Sequence, residues 1–316
     1  MEYKEVTIKD VANVINIKTK IPVYEILQDN AKIIKNIESK LKNNIIGQEN
    51  AINKLINITK RIKLGYKDNK VYSLMFVGPS GVGKSFLAKV YAKELVGGNN
   101  FIRLDMSEYS DSMSVNKIIG SAPGYVGYDD NKNILEEIRN KPNSMILLDE
   151  IDKAHPKIIN LLYQILDEGE IKDAKGNTIK FNNNVIIMTT NIGYENNCVG
   201  FNIEHENQIL SSLKSEFKLA FINRIDGIID FNRLNEENII KIIKNELLKL
   251  KNKYSKYKIN ISNNVIKEII NLSNYEEFGA RKINKIIVSN IENIIIDTII
   301  DNKKEINIDT ILNNSK

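Results

Sequence analysis

The sequence predicts an α/β fold, a parallel sheet sandwiched by helices and followed by a small, mostly helical lid domain. Three observations predict it. Short apolar runs alternate with helical patterns between residues 45 and 232, a glycine-rich turn joins the first run to a helix, and beyond residue 233 the strand signal largely stops. The runs are VYSLMFV (71–77), FIRLD (101–105), SMILLD (144–149), VIIMTT (185–190) and GIIDF (227–231). Runs this short with helices between them fit strands of a parallel sheet covered on both faces.

The segments follow in order. Residues 1–44 form a helical entry segment: Val11, Val14 and Ile15 recur at helical spacing, Pro22 breaks the pattern, and a second helix runs to Leu41. Residues 45–232 form the large α/β domain. Residues 233–316 form the small helical domain, where a helix from Glu236 to Leu250 gathers Ile239, Ile240, Ile242, Ile243, Leu247 and Leu250 towards one side. The apolar run from Ile283 to Ile300 is interrupted by Lys285, Asn290, Glu292 and Asp297, so it is an amphipathic helix and not a membrane span.

Composition narrows the function classes. With 316 residues, 42% hydrophobic and 27% charged, the chain has the make-up of a globular protein with about two domains. Ile, Asn and Lys together supply 140 residues, and only six of the 45 basic residues are arginine. This is the skew of an A+T-rich genome, so the net charge of +5 carries little argument for nucleic acid. The six arginines are correspondingly informative. One cysteine, Cys198, and two histidines exclude an internal disulfide and a zinc signature, and a reducing compartment fits.

The chemistry begins after the first strand, at Gly78-Pro79-Ser80-Gly81-Val82-Gly83-Lys84-Ser85, which leads into the helical stretch FLAKVYAKEL. Glycines let backbone N–H groups turn towards a phosphate, and the helix N-terminus adds partial positive charge. Lys84 reaches the terminal phosphates, and Ser85 can hold Mg2+. Hydrolysis needs acids as well, and the stretch Met145-Ile146-Leu147-Leu148-Asp149-Glu150, at the end of another buried strand, supplies Asp149 to order Mg2+ and Glu150 to activate water. Asn191, following VIIMTT, stands where it can fix the attacking water or the terminal phosphate.

In order along the chain, GPSGVGKS, RLDMSEYS, GSAPGYVGYDD, ILLDEIDKAHP, LLYQILDEGEIKD, VIIMTTNIG, FINRID and FGARKINKII resemble the second ATPase module of the Clp chaperones in the AAA+ superfamily of P-loop NTPases. The resemblance runs from IIGQENAI (45–52) to about residue 300 and is strongest to the ClpC branch. It implies ATP and Mg2+ as cofactors and a homo-hexameric ring with ATP bound between neighbours. Ile45 and Ile46 are then the segment that packs on adenine. Arg224 matches an arginine finger reaching a neighbour's terminal phosphate. Arg281 matches a second sensor that contacts nucleotide bound to its own subunit, a role for which a planar guanidinium is suited where lysine is not.

The resemblance also implies the cargo. Gly124-Tyr125-Val126-Gly127 matches the pore loop whose aromatic grips extended polypeptide, and the loop has no Lys or Arg to meet phosphates, so protein and not nucleic acid is the expected substrate. Val199-Gly200-Phe201, after Cys198, matches the tripeptide with which Clp unfoldases dock on a ClpP-type peptidase. The expectation is therefore an ATP-dependent unfoldase and translocase threading unfolded or tagged proteins towards that peptidase. The alternatives are a ClpB-like disaggregase motor and a nucleotide-binding assembly module with little activity of its own. The expected compartment is a bacterial-type cytoplasm or an organelle of bacterial descent such as a plastid, with no membrane partner.

The chain departs from the family pattern at Glu170 and Asn177, where an arginine is usual, and in KLAF before the finger, where a proline is common. These positions concern subunit contacts and the secondary pore loop, not the ATP site. Clp proteins of the ClpC type carry an N-terminal domain and a first ATPase module in addition, so the chain is expected to be one excised module or a single-ring relative.

Overall fold

The computed structural model describes residues 6–19, 23, 29–64, 71–120, 134–194, 203–301 and 305–311. Two compact units emerge. The first comprises residues 1–44, 50–77 and 84–230, and the second comprises residues 45–49, 78–83 and 231–316. Two short segments of the N-terminal half thus belong with the C-terminal unit, and one of them is most of the glycine-rich turn.

The first unit is built on strands β1 (Tyr72–Val77), β2 (Phe101–Asp105), β3 (Met145–Asp149), β4 (Glu170–Lys172), β5 (Thr178–Lys180), β6 (Val185–Thr190) and β7 (Gly227–Asp230). Five of them form a parallel sheet in the order β2-β3-β6-β1-β7. Every residue of β3 and β6 is buried, as is β1 beyond Tyr72, while the edge strands β2 and β7 are only partly covered. That difference is what a parallel sheet with helices on both faces requires. β7 ends at Asp230, one residue short of the apolar run GIIDF, because its partner β1 ends at Val77, opposite Asp230. Strands β4 and β5 form a separate antiparallel hairpin that the apolar pattern does not announce. Its turn is closed by Asp173, which accepts from the backbone of Lys175 and Asn177 and from the Asn177 amide.

Helix boundaries follow local chemistry. The helix Pro156–Glu168 starts with His155, whose Nδ1 accepts from the Lys157 N–H at 3.2 Å, has proline at its first position, and ends at Gly169 in the left-handed region. At the entry, the helix Ile8–Thr19 is closed by a reciprocal pair in which Asp10 accepts from the Thr7 N–H and Thr7 Oγ1 accepts from the Asp10 N–H. A second entry helix spans Asn30–Asn44.

The second unit is mainly helical, as expected, with helices Glu236–Lys253, Asn263–Ser273 and a run from Arg281 to Ile300 that widens to a π-type turn over Ile287–Glu292. Asn235 caps the first of these by accepting from the Asn238 N–H at 2.9 Å, with Glu236 and Glu237 in the first turn and Lys251 and Lys253 in the last. The unit also holds two strands, β8 (Lys258–Ile261) and β9 (Glu305–Ile308), paired in parallel. No helix among the described residues is long and apolar enough to cross a membrane.

Glu268 ties the end of this unit together. Its carboxylate accepts from the Ile311 N–H at 2.7 Å, from Thr310 Oγ1 at 2.7 Å and from the Asn264 amide at 2.9 Å. These bonds, the Ile311 N–H foremost, hold its carboxyl below the ordinary value of 4.5. A lowered carboxylate stabilises the fold fully above its unfolded value, and the contribution is lost as pH falls through the folded one. Glu268→Gln is therefore expected to flatten the loss of stability between about pH 5 and pH 3 in urea titrations, with little change in that slope above pH 6. An unaltered acid slope would contradict the assignment.

Candidate functional site

In the first unit, parallel register brings polar residues together at one edge of the sheet. Val77 lies opposite Thr190, and Leu148 lies opposite Met188, so the carboxyl ends of β1, β3 and β6 stand side by side. Open α/β sheets bind ligands at this edge. The turn beginning at Gly78 leaves β1 here, Asp149 and Glu150 end β3, and Asn191 follows β6.

Asp149 is the centre of a closed network. It is 6% exposed. Its Oδ1 accepts from Ser85 Oγ at 2.8 Å and from Thr189 Oγ1 at 2.5 Å, and its Oδ2 accepts from the Arg103 guanidinium at 2.6 Å. A buried carboxylate is costly unless paired and hydrogen-bonded, and this one is both. Thr189 also accepts from the Glu150 N–H at 3.0 Å, so one hydroxyl fixes the carboxylate of one acid and the backbone of the next. Glu150 adopts φ 56° and ψ 53°, the left-handed region, and its side chain is exposed. A non-glycine residue there is strained by about 1–2 kcal/mol. Asn191 is half-buried, and its neighbour Thr190 donates to Asp152 Oδ1 at 2.7 Å.

Arg224 lies elsewhere in the same unit. Its guanidinium stacks over the Tyr163 ring at 4.0 Å, its Nε donates to Asp167 Oδ1 at 3.1 Å, and it donates to the Ala220 carbonyl at 2.8 Å. The backbone beside it is pinned to the start of β1, where Ser73 Oγ donates to the Arg224 carbonyl and Asp226 Oδ2 accepts from the Ser73 N–H.

In the second unit, the glycine-rich turn is packed against the segment that precedes Arg281. Gly81 and Gly279 meet backbone to backbone. A Cβ on Gly81 would lie 2.1 Å from the Phe278 carbonyl oxygen, one on Gly279 would lie 2.6 Å from the Gly81 oxygen, and both residues have positive φ. Only glycine satisfies both demands. The Ala280 N–H donates to the Gly81 carbonyl at 3.0 Å. Gln48, 1% exposed, braces the same turn by donating to the Val82 and Asn232 carbonyls and accepting from the Asn232 N–H. Ile45 is buried and Ile46 half-buried. Arg281 is exposed, and its side chain has no hydrogen bond or ion pair among the described residues.

The donor set fits magnesium. Ser85 and Asp149 offer hard oxygens 2.8 Å apart, and among the described residues no group of three or more His, Cys, Asp or Glu could form a cage. A cation that keeps most of its waters and leans on substrate phosphates needs no more than this. The sequence-predicted residues Ser85, Asp149 and Glu150 are thus brought together in one unit, while Ile45, Ile46, the turn 78–83 and Arg281 belong to the other. The pore-loop residues Gly124, Tyr125, Val126 and Gly127 and the docking residues Val199, Gly200 and Phe201 lie outside the described residues. Arg103 and Thr189 complete the Asp149 network, and the sequence does not announce either of them. The available signals were an arginine kept in a lysine-rich chain and a hydroxyl one residue before the end of an apolar strand.

Comparison with known proteins agrees with this geometry. The profile of the AAA domain (Cdc48 subfamily) matches residues 69–228, and that of the C-terminal, D2-small domain of ClpB protein matches residues 234–312. The chain is 36% identical over 313 residues to the chaperone protein ClpB of Oceanobacillus iheyensis, covering 94% of this chain and 39% of that protein. It is 37% identical over 310 residues to the ATP-dependent Clp protease ATP-binding subunit ClpC of Staphylococcus aureus (strain USA300), covering 92% and 38%. It therefore spans about two fifths of the length of these relatives. Among solved structures, a closed-state cryo-electron microscopy reconstruction of Hsp104 with ATPyS and FITC casein matches with a TM-score of 0.82 and 29% identity, over 94% of this chain and 53% of that one. An AAA domain over residues 69–228 followed by a D2-small domain over residues 234–312, with Clp relatives 36–37% identical over more than nine tenths of the chain, places this chain in the Clp family of AAA+ ATPases.

Proposed function

We propose that this chain is an ATP-hydrolysing motor module of a ClpC-like unfoldase, acting in a homo-hexameric ring that threads polypeptide towards a ClpP-type peptidase. The observation that carries the ATPase part is the 2.8 Å bond between Ser85 and Asp149, with Glu150 next in the chain and tied to the same Thr189 hydroxyl. In this reading the backbone N–H groups of residues 78–83 and the Lys84 ammonium hold the phosphates. Ser85 and Asp149 hold Mg2+, which supplies charge neutralisation on the terminal phosphates when bound. Glu150 accepts a proton from the attacking water, and Asn191 orients that water.

Two arginines complete the proposed reaction centre. Arg224 serves a neighbouring subunit as the finger that offsets charge developing on the terminal phosphoryl group, an effect worth roughly a thousandfold or more in related enzymes. Its stacking on Tyr163 supports the role, because a guanidinium already ordered loses less freedom on engagement. Arg281 reports on nucleotide, and the Ala280 bond to the Gly81 carbonyl supports this by linking its helix start to the phosphate turn.

The mechanical half of the proposal rests on Tyr125 as the residue that grips substrate and on the apolar Val199-Gly200-Phe201 as the peptidase contact. Names among the relatives support it, since one is an ATP-binding subunit of a Clp protease. The proposed compartment is a bacterial-type cytoplasm or an organelle of bacterial descent.

Steady-state phosphate release tests the motor. Glu150→Gln is expected to lower turnover by about 100-fold or more while leaving ADP affinity within a few fold, and Lys84→Ala is expected to abolish nucleotide binding by calorimetry. Equal, low rates for the parent and Glu150→Gln would instead mark a binding and assembly module. For the partner, Phe201→Ala is expected to abolish co-purification with a ClpP-type peptidase. Unchanged capture would remove the peptidase from the proposal and leave a disaggregase motor.

A further inference from the structure

Arg103 is one of six arginines in a chain with 39 lysines, and the proposed ATPase chemistry does not use it. It lies on the edge strand β2, with its side chain 55% exposed, and its guanidinium donates to Asp149 Oδ2 at 2.6 Å. The other carboxylate oxygen, Oδ1, is taken by Ser85 and Thr189. Arg103 therefore covers the oxygen of Asp149 that neither hydroxyl occupies.

The electrostatics make this position consequential. Asp149 is 6% exposed, and a carboxylate so placed is costly without a cation beside it. Mg2+ brought by a nucleotide would supply one, together with waters that need acceptors on the same carboxylate. Two cations then claim one oxygen. Arg103 reaches it from solvent, so it can withdraw into water at modest cost, which a buried guanidinium could not.

We propose that Arg103 is a positioning residue that acts as a stand-in cation, neutralising Asp149 while the site is empty and yielding Oδ2 when Mg2+ arrives with nucleotide. The proposal rests on the reading of this site as a magnesium-nucleotide site. Arg103 then stabilises the empty protein and raises the magnesium concentration at which the loaded state forms, so the site takes up the metal with nucleotide and not alone. A planar fork at the end of a long side chain suits a pairing that is directional yet reversible, and lysine would hold the same oxygen as a less ordered point charge.

The test is a titration of Mg2+ at fixed fluorescent ADP, with wild type, Arg103→Gln and Arg103→Lys, and Lys84→Ala as the control for the nucleotide site. Arg103→Gln is expected to lower the half-saturating Mg2+ concentration about fivefold, within the range that a partly exposed ion pair supports. ADP affinity in EDTA should be unchanged. Its melting temperature without ligand should fall, with the gap to wild type closing once Mg2+ and ADP are added. Arg103→Lys should lie between the two and carries the test if Arg103→Gln does not fold. An unchanged or raised half-saturation overturns the proposal. So does a loss of ADP affinity in EDTA as large as that in Mg2+, which would assign Arg103 to phosphate. If wild type binds no ADP, or Lys84→Ala binds it equally, the nucleotide reading fails instead. Melting with Mg2+ alone then decides, since Mg2+ must still raise the melting temperature of Arg103→Gln more than that of wild type for Arg103 to keep its role.

Discussion

Burial of the sheet on both faces is the constraint on which the rest of the first unit depends. Along β1, β3 and β6, helices cover each side, so a polar side chain within those strands has no water to turn to. Polar chemistry is displaced to the strand ends, and parallel register puts those ends in one row. Asp149, Thr189 and Thr190 sit there, each buried, and satisfy one another or their immediate neighbours. The site is not added to the fold. It is where the fold permits hydrogen-bonding groups to gather.

The same logic separates what could be read from sequence and what could not. The strands β1, β3 and β6 were legible because the continuous apolar runs LMFV, MILL and VIIM sit in short stretches between helical patterns, and the glycine-rich turn was legible because its glycines and Lys84-Ser85 are local. The pairing of Arg103 with Asp149 was not, since the two are 46 residues apart and meet only through the register of β2 with β3. The β8–β9 ribbon escaped for a similar reason. KINI and EINI each alternate too briefly to declare a strand, and their pairing joins residues 47 apart. Nor does LLDEIDK contain the glycine or asparagine that would announce a left-handed residue at Glu150.

The glycine-rich turn illustrates a double demand on one sequence. In the proposed nucleotide site its glycines let backbone N–H groups converge on phosphate, which a local reading supplies. Gly81 is also needed for close approach to Gly279, a contact between segments nearly two hundred residues apart. A turn chosen for ligand chemistry is thereby also a packing surface, and Gly279-Ala280-Arg281 is its fitted counterpart. Substitution at either glycine would disturb both functions together.

If Glu150 activates water as proposed, its left-handed conformation sets stability against activity at a single position. Glycine would occupy φ 56° without the steric penalty that glutamate bears there, and asparagine would bear less of it. The residues that would relax this backbone are those that delete the carboxylate. Under the proposed role for Glu150, a more stable chain and a faster one therefore call for different residues at position 150.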